Sequence, residues 1–174
     1  MVNMNEDSKI SDVMSTLVPL IKGPAILDVG TGFGTGITYL IKNRNYRIVS
    51  IDPEAWAFET IEREFSKEIK ENRLKIMKSR AEEIPFPDNH FNSSLALFSM
   101  HHLKDLEAGI KEMERVTSGN IVIAEWDKDS AGKFNPHTEE HLSGIKKHIM
   151  DYAERNSYES SDYGVWYLVW KSKN

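Results

Sequence analysis

The run Asp28-Val29-Gly30-Thr31-Gly32-Phe33-Gly34-Thr35-Gly36 constrains the fold of this chain more than any other segment. It follows the apolar stretch Ala25-Ile26-Leu27, bounded in front by Gly23-Pro24, which reads as a buried strand. Glycine at every second position lets the backbone turn tightly and approach a ligand without side chains in between. A helix predicted over 36–44 then presents free N–H groups to whatever the loop holds. The dinucleotide pattern G-x-G-x-x-G fails in both registers, because Thr35 stands where one register needs glycine and Ile37 where the other does. No G-K-[ST] follows, so a P-loop is excluded. The next apolar run, 46–51, ends at Asp52, 22 residues after Gly30. A carboxylate there can accept hydrogen bonds from both hydroxyls of a ribose. The loop and the acid together point to a nucleoside whose remaining part lies against glycines.

The rest of the chain repeats strand and helix patterns. Ile10, Val13, Met14, Leu17, Val18 and Ile21 recur at helical spacing, so 9–22 is an amphipathic helix, kinked or ended by Pro19. Pro53 after Asp52 reads as the start of a helix striped by Phe58, Ile61, Phe65 and Ile69. Further strands are expected over 74–78, 91–99 and 121–126. One more helix carries Leu103, Leu106, Ile110, Met113 and Val116, and another opens at Asn135-Pro136. The last run, 165–170, is apolar on both faces and belongs inside a sheet rather than at its edge. This alternation predicts an α/β fold: a mostly parallel sheet of about seven strands with helices on both faces. Ligands of such sheets sit at the carboxyl ends of the strands.

Those ends carry a recognisable set of motifs. Ile26-Leu27-Asp28-Val29-Gly30-Thr31-Gly32-Phe33-Gly34, then Asp52, then Ser79-Arg80-Ala81-Glu82-Glu83-Ile84-Pro85-Phe86, then Phe91-Asn92 through Ser99-Met100-His101-His102-Leu103 follow in order. Over roughly 22–127 the sequence resembles the class I S-adenosylmethionine-dependent methyltransferases, in their small-molecule-type group. The resemblance implies a single Rossmann-like domain over 1–174: an N-terminal helix to 22, a cofactor-binding core over 23–126, and a lid segment, helix and antiparallel last strand over 127–174. It implies S-adenosylmethionine as cofactor, with S-adenosylhomocysteine as product. By the same resemblance the backbone of Gly30, Thr31, Gly32 and Gly34 holds the methionine part, and Asp28 orients the loop and the cofactor's amino group. Asp52 takes the ribose hydroxyls, Pro53 lies against the adenine, Ala81 and its neighbours meet the adenine edge, and Ser99 borders the methionine part. Two departures stand out: Arg80 replaces an aspartate that often meets the adenine amino group, and Asn92 replaces the aspartate of F-D.

Methyl transfer from a sulfonium is an in-line displacement, so the protein aligns the partners and excludes water. A base is required only where the acceptor must lose a proton. His101 and His102, at the end of the fourth strand, are the catalytic candidates. No metal is assigned: Asp127 and Asp129 read as loop acids, and His137, His141 and His148 as a solvated helix flank. Trp126 reads either as a wall of the substrate pocket or as ordinary packing. The chain contains no cysteine, which removes disulfides, thiolate metal sites and cysteine nucleophiles, and with the last of these the usual C5 methylation of pyrimidines. Ser99-Met100-His101-His102 replaces the [N/D]-P-P-[Y/F] motif of amino-group methylation in DNA.

A net charge of −5 argues against a phosphate-backbone partner, and the lysines and arginines between 70 and 80 read as scattered strand and turn residues. No apolar run approaches the roughly 20 residues of a membrane span. The N-terminus is polar and acidic, unlike a secretion signal. A cytoplasmic enzyme with a small-molecule acceptor is therefore expected, with a homodimer as a way to complete a short lid. Two rivals remain open: a non-catalytic S-adenosylmethionine-binding subunit of a partner enzyme, and a nicotinamide-dependent oxidoreductase, against which the failed dinucleotide pattern counts.

Overall fold

A computed structural model describes residues 4–173. Seven strands form one sheet in the order β3-β2-β1-β4-β5-β7-β6. They are β1 (Ala25–Val29), β2 (Arg47–Asp52), β3 (Leu74–Lys78), β4 (Phe91–Leu97), β5 (Thr117–Trp126), β6 (Glu159–Asp162) and β7 (Trp166–Ser172). The first five run parallel, and β7 enters antiparallel between β5 and β6. This is the mixed, mostly parallel sheet expected, and β7 is internal, as its apolar faces required. The chain builds outward from β1 to β3, then crosses back to lay β4 on the other side of β1. Strand order therefore reverses between β1 and β4, and a crevice opens at their carboxyl ends.

Helices α1 (Met4–Leu17), α2 (Thr35–Leu40), α3 (Phe58–Glu64) and α4 (Ser66–Lys70) precede β4, while α5 (Leu106–Val116) and α6 (Glu139–Arg155) follow it. Alternate residues of the central strands feed two apolar layers. One gathers Val13, Leu17, Ile26, Ile37, Ile48, Leu95 and Val122, and the other Leu27, Ile51, Ala96, Ile110, Ile121 and Ile149. Helix α5 shows the logic of one element. Asp105 caps it by accepting from Ala108 N at 2.9 Å, a contact typically worth ~1 kcal/mol. Leu106, Ile110, Met113 and Val116 form its buried stripe.

Local differences from the sequence expectation have physical causes. Helix α1 ends at Leu17, and a 3-10 turn over Val18–Leu20 takes Pro19 into its first turn, where no amide is needed. The helix expected from Pro53 begins only at Phe58, because the Asp52 side chain is occupied in holding the turn after β2. Strand β5 starts four residues earlier than its apolar run. It passes through a register shift opposite Phe91 and Ser93, where a Cβ on Gly119 would lie 2.4 Å from the Asn92 carbonyl oxygen. Strand β6, Glu-Ser-Ser-Asp, is polar throughout and lies at the sheet edge. Helix α6 starts at Glu139, so His137 precedes it rather than lying on its flank.

Candidate active site

At the end of β1 the chain turns through Gly30, whose φ is +94°. A Cβ there would lie 2.3 Å from the Cβ of Ser99, so only glycine lets the loop cross the end of β4. Ser99 Oγ donates to the Val29 carbonyl at 2.6 Å and ties the two strand ends together. Gly30 and Thr31 amides both donate to the Ile51 carbonyl, at 2.8 and 3.1 Å, which brings the loop against the end of β2. Gly34 is the left-handed residue before α2.

Asp52 closes the other side. One carboxylate oxygen accepts from Gly32 N at 3.0 Å and the other from Glu54 N at 2.9 Å. Each oxygen keeps a lone pair for a further donor. Asp28 lies deeper, fully buried, accepting from Ser50 Oγ at 2.7 Å; Ser50 in turn meets Thr31 Oγ1 at 2.7 Å. Burial pushes the Asp28 carboxyl up to about 7, against the Ser50 hydrogen bond and reinforced by the charge of Asp52. The third wall is the segment after β3. Glu112 on α5 accepts from Ile84 N at 2.9 Å, and Arg115 donates to the carbonyls of Ile84 and Phe86, both at 2.8 Å. This web anchors the chain just beyond Arg80, Ala81 and Glu82, which lie along the cleft.

The resulting cleft has a volume of about 590 Å³, within the range of small-molecule sites. Of the residues singled out in the sequence, Gly30, Gly32, Asp52, Pro53, Arg80, Ala81, Ser99 and His102 line it. Asp28 and Thr31 stand behind the loop as buried supports, Gly34 faces Ile61, and His101 is buried behind His102. Arg80 is engaged with Glu82 at 3.1 Å. Asn92, the other departure, accepts from Ala25 N at 2.9 Å and so fixes the start of β1. Trp126 stacks on Phe98 at 3.8 Å and on Phe134 at 5.7 Å, which makes it packing under the segment after β5. Asp127 is bound by Lys128 N at 2.7 Å and by Lys146 at 2.5 Å.

Two residues escaped the sequence reading. Trp56 lines the cleft with 61% of its surface exposed and meets the exposed Phe33 edge-on at 4.6 Å. Glu125 is fully buried beneath the histidines. It accepts from Met100 N at 2.6 Å, His101 N at 3.2 Å and Trp126 N at 3.0 Å, and lies 2.8 Å from His101 Nδ1. The signal was an acid inside the otherwise apolar run Ile-Val-Ile-Ala-Glu-Trp. His137, brought in by the loop after β5, reaches the same place, with its ring 4.5 Å from that of His101 and 5.4 Å from that of His102. Burial and the neighbouring His101 and His137 rings hold His102 below the ordinary histidine range. His137 is lowered likewise by burial, His101 and His141.

A glycine loop after the first strand, an acid ending the second, and a sheet with an inserted antiparallel strand define the class I S-adenosylmethionine-dependent methyltransferase fold. The chain belongs to the methyltransferase-domain family, whose pattern it matches over residues 27–123. It is 29% identical over 107 residues to the sterol 24-C-methyltransferase erg6 of Aspergillus fumigatus, covering 60% of this chain and 28% of that protein. It is 32% identical over 59 residues to a Shewanella ubiquinone/menaquinone biosynthesis C-methyltransferase, UbiE, covering 33% of this chain and 24% of that one. The chain thus spans about a quarter of the length of these curated relatives. Among solved structures, a SAM-dependent methyltransferase from Aquifex aeolicus superposes with a TM-score of 0.72 at 20% identity, covering 96% of this chain and 98% of that one. Among the described residues, no helix is long and apolar enough to cross a membrane.

Proposed function

We propose that this chain, as one methyltransferase domain over 1–174, transfers the methyl group of S-adenosylmethionine to a small-molecule acceptor. The observation that carries the reading is the convergence of Gly32, Asp52 and Ser99 on one cleft at the strand-order reversal. When bound, the cofactor supplies a methyl on a sulfonium, open to in-line attack. Asp52 holds the ribose hydroxyls, with its carboxylate already oriented by the Gly32 and Glu54 amides. The glycine loop lies along the methionine part, Asp28 sets the loop from behind, and Pro53 and Ala81 flank the adenine. Arg80, paired with Glu82, occupies the adenine edge. His102 marks the acceptor end, with the ring of His137 from the segment after β5 beside it. The curated relatives, named as sterol and quinone C-methyltransferases, support a small-molecule acceptor. The acidic balance of the chain supports an acceptor other than nucleic acid.

The test is to incubate the protein with S-adenosylmethionine and a panel of small acceptors bearing hydroxyl, phenolic or activated-carbon nucleophiles, and to follow S-adenosylhomocysteine. Release that depends on one acceptor class is the expected result. Tight cofactor binding with no release for any acceptor would replace this reading with that of a cofactor-binding subunit.

A further inference from the structure

We propose that His101, His102 and His137 form a binding site for one zinc-class transition-metal ion at the acceptor end of the cleft. One ring nitrogen from each residue lies within 4.8 Å of the other two. Three imidazoles around a tetrahedral zinc ion stand about 3.3 Å apart for bonds of 2.0–2.1 Å, so side-chain rotations of about an ångström bring these onto one ion. The chain has no cysteine, and imidazole is the ligand type that suits zinc, copper, iron and nickel rather than magnesium or calcium.

The surroundings are those of a ligand set rather than of chance neighbours. Glu125 is fully buried and receives three backbone amides, which leaves it an acceptor for His101 Nδ1. A histidine donating Nδ1–H to a buried carboxylate presents its Nε2 lone pair outward, in the manner of carboxylate-supported metal ligands. His137 is delivered with equal care. Asn135 Oδ1 accepts from His137 N at 3.1 Å, and Asn135 Nδ2 donates to the buried Ser130 hydroxyl at 2.7 Å. Thr138 then caps α6 by accepting from His141 N at 3.2 Å. His141 stands just beyond, its ring 5.2 Å from that of His137.

Three protein ligands leave a fourth position for water or substrate, the arrangement of catalytic rather than structural zinc. His102 lines the cofactor cleft, so that position borders the space where an acceptor would lie. This second step rests on the methyl-transfer reading and narrows it to acceptors with a hydroxyl or phenol that can coordinate the ion. Coordination lowers the acceptor's pKa, and its proton leaves to water. The oxygen then attacks the methyl carbon while the carbon–sulfur bond breaks with its electron pair remaining on sulfur. As ligands, the histidines no longer serve as the base.

The test uses the 174-residue chain without an affinity tag. Zinc alone, titrated by calorimetry and checked by elemental analysis, should bind at one ion per chain with micromolar or tighter affinity. Cobalt should give the intense visible absorption of a tetrahedral site. His137→Ala and the more exposed His102→Ala should each weaken zinc binding at least 10-fold, and His148→Ala, on the outer side of α6, should leave it unchanged. Circular dichroism and S-adenosylhomocysteine binding on the same samples report folding and the cofactor site. Loss of zinc binding with both retained supports the site. Failure of the wild-type protein to bind zinc, or equal binding by all variants, overturns it. Failure to bind S-adenosylhomocysteine would count instead against the methyl-transfer reading.

Discussion

The carboxylate of Asp52 accepts a hydrogen bond from the Gly32 amide at 3.0 Å, joining the end of β2 to the loop that follows β1. This pair turns two separate sequence signals into one ligand cradle. Asp52→Ala removes the charge-assisted hydrogen bonds to a ribose, at about 1.5–3 kcal/mol, so S-adenosylhomocysteine affinity should fall at least 10-fold. The side chain is only partly buried, so circular dichroism should show the fold retained. Unchanged affinity in calorimetry would remove the ribose role.

Gly30 and Ser99 make a steric prediction. Gly30→Ala must hold an alanine at φ +94° and set its Cβ 2.3 Å from that of Ser99. Strain and displaced packing together should cost about 2–4 kcal/mol. For a chain of this size that lowers the melting temperature by roughly 5–12 °C. Ser99→Gly removes the collision, together with the hydrogen bond to Val29, but not the backbone strain, so Gly30→Ala should cost less in the Ser99→Gly background than in the wild type. An equal cost in both backgrounds would show that the collision is not what requires glycine.

Asp28 links stability to pH. Its native pKa of about 7 lies above the value of an exposed aspartate, so the native state holds the proton that the unfolded chain releases. Its contribution is complete below about pH 4, declines as pH rises through the window from 4 to 7, and is gone above it. Asp28→Asn cannot ionise. Without cofactor it should be more stable than wild type at pH 8, by on the order of 2–4 kcal/mol, with the gap closing toward pH 4. Parallel melting curves at every pH would contradict a protonated native Asp28.

Trp56, 61% exposed at the cleft wall, offers a spectroscopic handle. A purine entering the cleft should pack on its indole and change its fluorescence, and Trp56→Phe should abolish most of that change. Trp56→Ala should weaken S-adenosylhomocysteine binding roughly 5–10-fold, in line with an aromatic contact of ~1 kcal/mol. A fluorescence change that persists in Trp56→Phe would place the ligand elsewhere.

The sheet was legible because its internal strands are buried on both faces and read as near-continuous apolar runs, such as 25–29 and 166–170. The loop was legible because a strand followed by alternating glycines has few other uses. Strand β6 was not, since its four polar residues pair only with β7 and leave no hydrophobic pattern. The delayed start of α3 was hidden by Pro53, a good first helical residue whose neighbour Asp52 is bonded to Gly32 instead. The meeting of His137 with His101 was beyond sequence spacing altogether. It depends on a loop held by Ser130 and Asn135 and on an acid in β5 that fixes the opposing ring.

We propose the cleft between β1 and β4 as an S-adenosylmethionine site. Calorimetric titration of the wild-type protein with S-adenosylmethionine, S-adenosylhomocysteine and NAD, side by side, tests it most directly. Binding of both sulfur nucleosides at one per chain in the micromolar range, without binding of NAD, is the expected result. No heat from either sulfur nucleoside, or binding of NAD alone, would contradict it.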